Sequence, residues 1–93
     1  MDKSTLFDKI ANLKVAIIGD VMIDSYIYGK VNRMSPEAPV PVVDVFKKES
    51  RLGGAANVAL NVKALGATPY LISILGDDEE GKKTESLLNE SGI

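Results

Sequence analysis

An α/β fold, a mostly parallel sheet flanked by helices, is what this sequence predicts, and three stretches carry the prediction. In KVAIIGD, Val15 to Ile18 form a continuous apolar run closed by Gly19-Asp20, the pattern of a strand buried on both faces. Downstream, Ala55, Val58, Ala59, Val62 and Leu65 recur at helical spacing, and Gly66 stands where a helix stops. TPYLISILG then supplies a second apolar strand ended by Gly76, and a helical stretch from Glu79 to Asn89 is closed by Gly92. Strand, helix, strand, helix with short turns implies βαβ units on a mostly parallel sheet.

The remaining elements follow in chain order. Leu6, Ile10 and Leu13 fall on one helical face, so residues 4–13 read as a short amphipathic helix. After the first strand, SYIYGKVNR is rich in aromatic and β-branched residues and reads as an exposed strand. MSPEAPVPV holds Pro36, Pro39 and Pro41, which rules out a helix or a central strand there. PVVDVFKKES resumes a strand, with Val43, Val45 and Lys47 on one side and Val42, Asp44 and Phe46 on the other. Neither side is cleanly polar, which suits a partly covered or edge-like sheet. Ile93 reads as the first residue of a further strand. Two or three core strands would leave large apolar faces open, so the chain reads as the N-terminal part of a bigger α/β domain.

Composition excludes several classes of function. The 93 residues carry a net charge of −2 and a pI near 5.0, which argues against a nucleic-acid or acidic-membrane role. No stretch approaches the roughly eighteen apolar residues of a membrane span, and the N-terminus lacks the apolar core of a secretory signal. Without cysteine or histidine there is no disulfide framework, thiolate site, common zinc set or His-activated nucleophile in these residues. The simplest compartment is the cytoplasm.

Four groups of residues could carry chemistry. Gly53-Gly54 precede a helix N-terminus, where unpaired N–H groups and the helix dipole attract ligand oxygens and bare backbone lets them approach. Asn57, on the first turn, adds a donor and an acceptor, which suits a hydroxyl. The same residues also fit a tight strand-to-helix turn with Asn57 as a local cap. Asp20 and Asp24 follow the first strand, at the edge where open α/β sheets bind ligands. A carboxylate there can accept from two hydroxyls of a polyol, although a pair of solvated loop aspartates is the plainer reading of the residues alone. Lys47, Lys48 and Arg51 form a small basic cluster that fits a solvated strand end or a phosphate contact. The acidic run Asp77 to Glu80 is explained by the dipole of the helix it starts, with no metal needed. There is neither a G-x-G-x-x-G fingerprint nor a G-x-x-x-x-G-K-S/T loop.

These residues also carry a resemblance. GGAANVALNVKALGATPYLISILG resembles the N-terminal signature of the ribokinase-like (pfkB-type) carbohydrate kinases, with Gly53, Gly54, Ala55, Asn57, Ala59, Gly66 and Gly76 in register. GDDEEG adds the G-x-D-x-x-G that commonly follows, through Gly76, Asp78 and Gly81, and Asp24 stands where the family carries a sugar-binding aspartate. The run Arg33-Met34-Ser35-Pro36-Glu37-Ala38-Pro39-Val40-Pro41-Val42 is similar to the heptose-7-phosphate kinases of the ADP-heptose pathway, a source of lipopolysaccharide precursors.

The resemblance implies a ribokinase-like fold in which residues 1–24 and 52–93 belong to the core of one kinase domain and residues 25–51 form a small β lid. It implies ATP-dependent phosphorylation of a sugar phosphate, heptose 7-phosphate giving a bisphosphate. Asp24, Gly53, Gly54 and Asn57 would hold sugar hydroxyls, and Arg33 and Arg51 the substrate's own phosphate. The lid implies a homodimer; no nucleic-acid or membrane partner is implied. ATP and magnesium are expected of the whole kinase. The family's catalytic aspartate, in a Gly-Ala-Gly-Asp motif, and its ATP site fall later than these residues. No catalytic residue or metal ligand is therefore assigned here, Asp20 included, and the chain alone is expected to be inactive. Two other readings remain: a ribokinase-like kinase for another sugar or a nucleoside, and a non-catalytic sugar-binding or dimerisation module.

Overall fold

A computed structural model describes all of residues 1–93. Helix α1 (Lys3–Ala11) leads into strand β1 (Lys14–Ile18), followed by two long strands, β2 (Val21–Met34) and β3 (Pro41–Gly54). Helix α2 (Ala55–Ala64), strand β4 (Thr68–Ile72) and helix α3 (Glu79–Glu90) complete the chain. The expected α/β class is what forms: β1 and β4 pair in parallel, from Lys14 opposite Thr68 to Ile18 opposite Ile72. Strands β2 and β3 make a separate antiparallel hairpin.

Local chemistry sets the helix ends. Asp2 caps α1 by accepting from the Thr5 N–H at 2.7 Å, and Asp78 caps α3 by accepting from the Gly81 N–H at 2.8 Å. The acidic run before α3 is thus used on the helix itself. Gly66 and Gly92 follow α2 and α3 at φ of 101° and 75°, the left-handed positions that glycine favours. The Ile93 N–H donates to the Leu88 carbonyl while Gly92 donates to Asn89, which closes the end of α3. Its side chain packs against the core.

The core is small, with eight residues buried. The small side chains of α2, Ala55 and Ala59, let that helix lie close on Ile17, with Val15, Val62 and Leu71 around them. This covers one face of the parallel pair. The expectation that β1 is buried on both faces fails, because no element of the chain packs on the other side. There, Ile18 is 78% exposed, and Tyr70 and Ile72 lie open beside it. No helix is long and apolar enough to cross a membrane.

The hairpin projects from this core. The chain measures 63 × 36 × 19 Å with a radius of gyration of 19.1 Å, against about 12 Å for a compact chain of this length. The prolines act as expected, since residues 35–40 form the hairpin tip, closed by Ser35 N–H to the Val40 carbonyl at 2.7 Å. Strand β2 begins at Val21, ahead of the SYIYGKVNR stretch, because its first residue is held opposite Gly54. Two bulges break strict alternation. Tyr28 pairs with Lys47 but Gly29 with Val45, leaving Phe46 extra; Val31 pairs with Val43 but Arg33 with Val42, leaving Asn32 extra. Lys47 therefore faces away from Val45, not with it as alternation predicts.

Candidate functional site

The site is built where the base of the hairpin meets α2. Asp24 lies within β2, directly opposite Arg51 of β3, rather than in a loop after β1. In an antiparallel pair, opposite residues share a face, so Met22, Asp24, Tyr26 and Tyr28 line up with Gly53, Arg51, Glu49 and Lys47. The Asp24 carboxylate rests against the backbone of Gly53: a Cβ added there would lie 2.6 Å from Asp24 Oδ2. Gly53 leaves the space that the carboxylate occupies.

Gly54 has a different task. Its backbone, at φ 60° and ψ −135°, turns β3 into α2, and the next N–H, of Ala55, donates to the Asp20 carbonyl at 2.8 Å. A Cβ at Gly54 would meet that same carbonyl oxygen at 2.5 Å. Having no side chain, Gly54 gives α2 no side-chain cap, whereas α1 and α3 each have an aspartate. Asn57 does not act as the local cap either; its side chain is exposed and makes no hydrogen bond within the chain. The first turn of α2 thus has no side-chain cap and carries the exposed amide side chain of Asn57, while its first N–H is taken by the Asp20 carbonyl.

Arg51 is engaged with its neighbours. Its Nε and Nη2 donate to the two oxygens of Glu49 at 3.2 and 3.1 Å, and its guanidinium lies over the Tyr26 ring at 4.7 Å. Tyr28 OH donates to Glu49 at 3.2 Å and accepts from Arg51 at 3.4 Å, while the Lys47 ammonium sits 5.3 Å above the Tyr28 ring. The hydrogen bond from Arg51 holds the Glu49 carboxyl below its usual range, and the pairing raises Arg51. The basic cluster read from the sequence divides: Lys47 and Arg51 share the Asp24 face, whereas Lys48 pairs with Ile27 on the other. Glu49, Tyr26 and Tyr28 were not singled out from the sequence. The signal was there in their two-residue spacing within strands, which places each on the face of Asp24 and Arg51.

Arg33 is not brought to this group. It stands nine residues along β2 from Asp24, about 30 Å at the rise of a strand. A cleft of about 430 Å³ also lies apart; it is lined mainly by apolar residues, among them Val21, Leu71, Leu75, Leu88 and Ile93. Asp24 and Asn57 are exposed at the hairpin base, and Gly53 is buried beside the Asp24 carboxylate.

Comparison with known proteins places the chain in a family. The profile of the pfkB family carbohydrate kinase matches residues 12–93. The chain belongs to the pfkB family of carbohydrate kinases. It is 55% identical over 86 residues to the D-beta-D-heptose 7-phosphate kinase of Bordetella bronchiseptica, covering 92% of this chain and 28% of that protein. It is 54% identical over 80 residues to the Bifunctional protein HldE of Coxiella burnetii, covering 86% of this chain and 17% of that protein. With the HldE of Trichlorobacter lovleyi it shares 44% identity over 89 residues, 96% of this chain and 18% of the relative. The chain thus spans 17–28% of the length of these curated relatives.

Membership of a kinase family implies ATP, with magnesium, as the phosphoryl donor of the whole enzyme. No group of three acidic, histidine or cysteine side chains is placed to hold a metal, and Asp78 is used as a helix cap. What this pfkB-family segment offers is an acceptor, Asp24, beside a glycine-bounded helix N-terminus, with an oriented arginine on the same face.

Proposed function

We propose that this chain is the sugar-binding part of an ATP-dependent kinase that phosphorylates heptose 7-phosphate. In the proposed reaction the terminal phosphoryl group of ATP passes to the anomeric hydroxyl, giving the bisphosphate and ADP, with the hydroxyl proton taken by a base outside these 93 residues. Asp24 accepts from two sugar hydroxyls, the Gly53-Gly54 backbone lets the sugar approach α2, and Asn57 meets a further hydroxyl. Arg51 faces the substrate's phosphate. The observation that carries the reading is the Asp24 carboxylate lying against Gly53 at the uncapped start of α2. The identity to proteins named as heptose 7-phosphate kinase and HldE supports the substrate.

The hairpin is proposed as a lid over the sugar, residues 25–51, and as the surface of a homodimer. One hairpin face carries Ile27, Val31, Val43 and Val45, between 47% and 63% exposed, a continuous apolar strip suited to a second copy. Arg33, far from Asp24 along one chain, would reach a sugar phosphate only across such a dimer. The proposed compartment is the cytoplasm.

Titration of heptose 7-phosphate into the protein expressed from its full reading frame tests the assignment. Asn57→Ala is expected to weaken binding about three- to tenfold, the worth of one neutral hydrogen bond. If no sugar phosphate binds the unsubstituted protein, the Gly-Gly turn serves structure alone and the kinase reading falls.

A further inference from the structure

Asp24 and Arg51 are directly opposed across the hairpin, with opposite charges on one face, yet they form no ion pair. Opposed charges at this spacing normally attract. Arg51 instead turns along its own strand to Glu49, two residues away, with two hydrogen bonds to that carboxylate. Tyr26 lies against the plane of the guanidinium and Tyr28 ties Glu49 in place from the opposite strand. Nη1 of Arg51, with its two donors, has no partner in the chain. Both groups proposed to meet the substrate, the Asp24 carboxylate and one edge of Arg51, are therefore left open at once.

We infer that Glu49 is a positioning residue: it draws Arg51 away from Asp24, so that the carboxylate stays free for sugar hydroxyls and the guanidinium keeps an edge for a phosphate. The inference rests on the reading of Asp24 as the sugar acceptor. A carboxylate already paired with a guanidinium must give up that pair to take hydroxyls, and a guanidinium paired with Asp24 must do the same to take a phosphate. Glu49 removes that internal competitor. Its lowered pKa, caused first by the bond from Arg51, means that it is ionised throughout the neutral range.

The test is a double-mutant cycle read by calorimetric binding of heptose 7-phosphate to the full-length protein. Glu49→Ala is expected to weaken binding roughly three- to fivefold, the scale of an exposed cross-strand ion pair. In the Arg51→Met background the same substitution is expected to change binding by less than about 1.5-fold, because no guanidinium remains to occupy Asp24. Glu49→Gln, which keeps the shape and loses the charge, is expected to behave like Glu49→Ala. A purely structural role for Glu49 would weaken binding equally in both backgrounds, and that outcome overturns the inference, as does Glu49→Ala binding as tightly as the unsubstituted protein or more so. If Asp24→Ala itself leaves binding unchanged, it is the underlying reading of Asp24 that fails.

Discussion

Asp24→Ala is expected to weaken sugar binding by about a hundredfold or more while leaving thermal unfolding nearly unchanged. The Asp24 side chain makes no hydrogen bond or ion pair within the chain and lies on an exposed strand face, so its removal strands no buried partner. The loss falls on the ligand. A carboxylate that accepts from two hydroxyls makes two charge-assisted hydrogen bonds, each worth about 1.5–3 kcal/mol, and every 1.4 kcal/mol is a factor of ten. Asp24→Asn keeps the size and one acceptor oxygen, so it should fall between the two. Titration calorimetry beside a thermal melt separates the effects. An affinity unchanged by Asp24→Ala would remove the carboxylate from the site, whatever the fold does.

The parts of this fold that were legible in the sequence are those with local causes. The apolar run before Gly19-Asp20 became β1, the helical spacing from Ala55 ended at Gly66, and Asp78 and Gly92 bracket α3. Register was not legible. Asp24 and Gly53 are 29 positions apart in the chain, and their contact depends on β2 starting at Val21 opposite Gly54. The bulges at Phe46 and Asn32 leave no clear trace in composition, yet each reverses the faces beyond it, which is why Lys47 was assigned to the wrong side. The open face of β1 shows the opposite limit: the apolar run records that β1 suits burial on both sides, but only packing partners decide whether both are covered. For the candidate site, glycine spacing alone left a turn and a ligand site equally open, and the family resemblance named the residues. The structure adds that the two glycines are not equivalent.

That difference yields the second large effect. Gly54→Ala is expected to destabilise the protein by roughly 3 kcal/mol or more, whereas Gly53→Ala should cost little stability and act on binding. At Gly54 the backbone has φ 60° and ψ −135°, a conformation that residues with a Cβ rarely adopt. The new methyl would also press on the Asp20 carbonyl oxygen at 2.5 Å and on Met22 Cγ at 3.1 Å. That carbonyl cannot retreat cheaply, since it accepts the Ala55 N–H that starts α2, the helix on which the core packs. At Gly53 the backbone has no positive φ, and the nearest atoms the methyl would meet are those of the Asp24 side chain, which a rotation about its own bonds can move. The carboxylate then leaves its place against the helix N-terminus, and the sugar loses its acceptor, by about tenfold if the rotated Asp24 still keeps one hydroxyl. Thermal melts and sugar titrations on the two variants should therefore give opposite patterns. A Gly53→Ala protein that unfolds as easily as Gly54→Ala would mean that both glycines serve the turn, and that Asp24 is held there for packing rather than for a ligand.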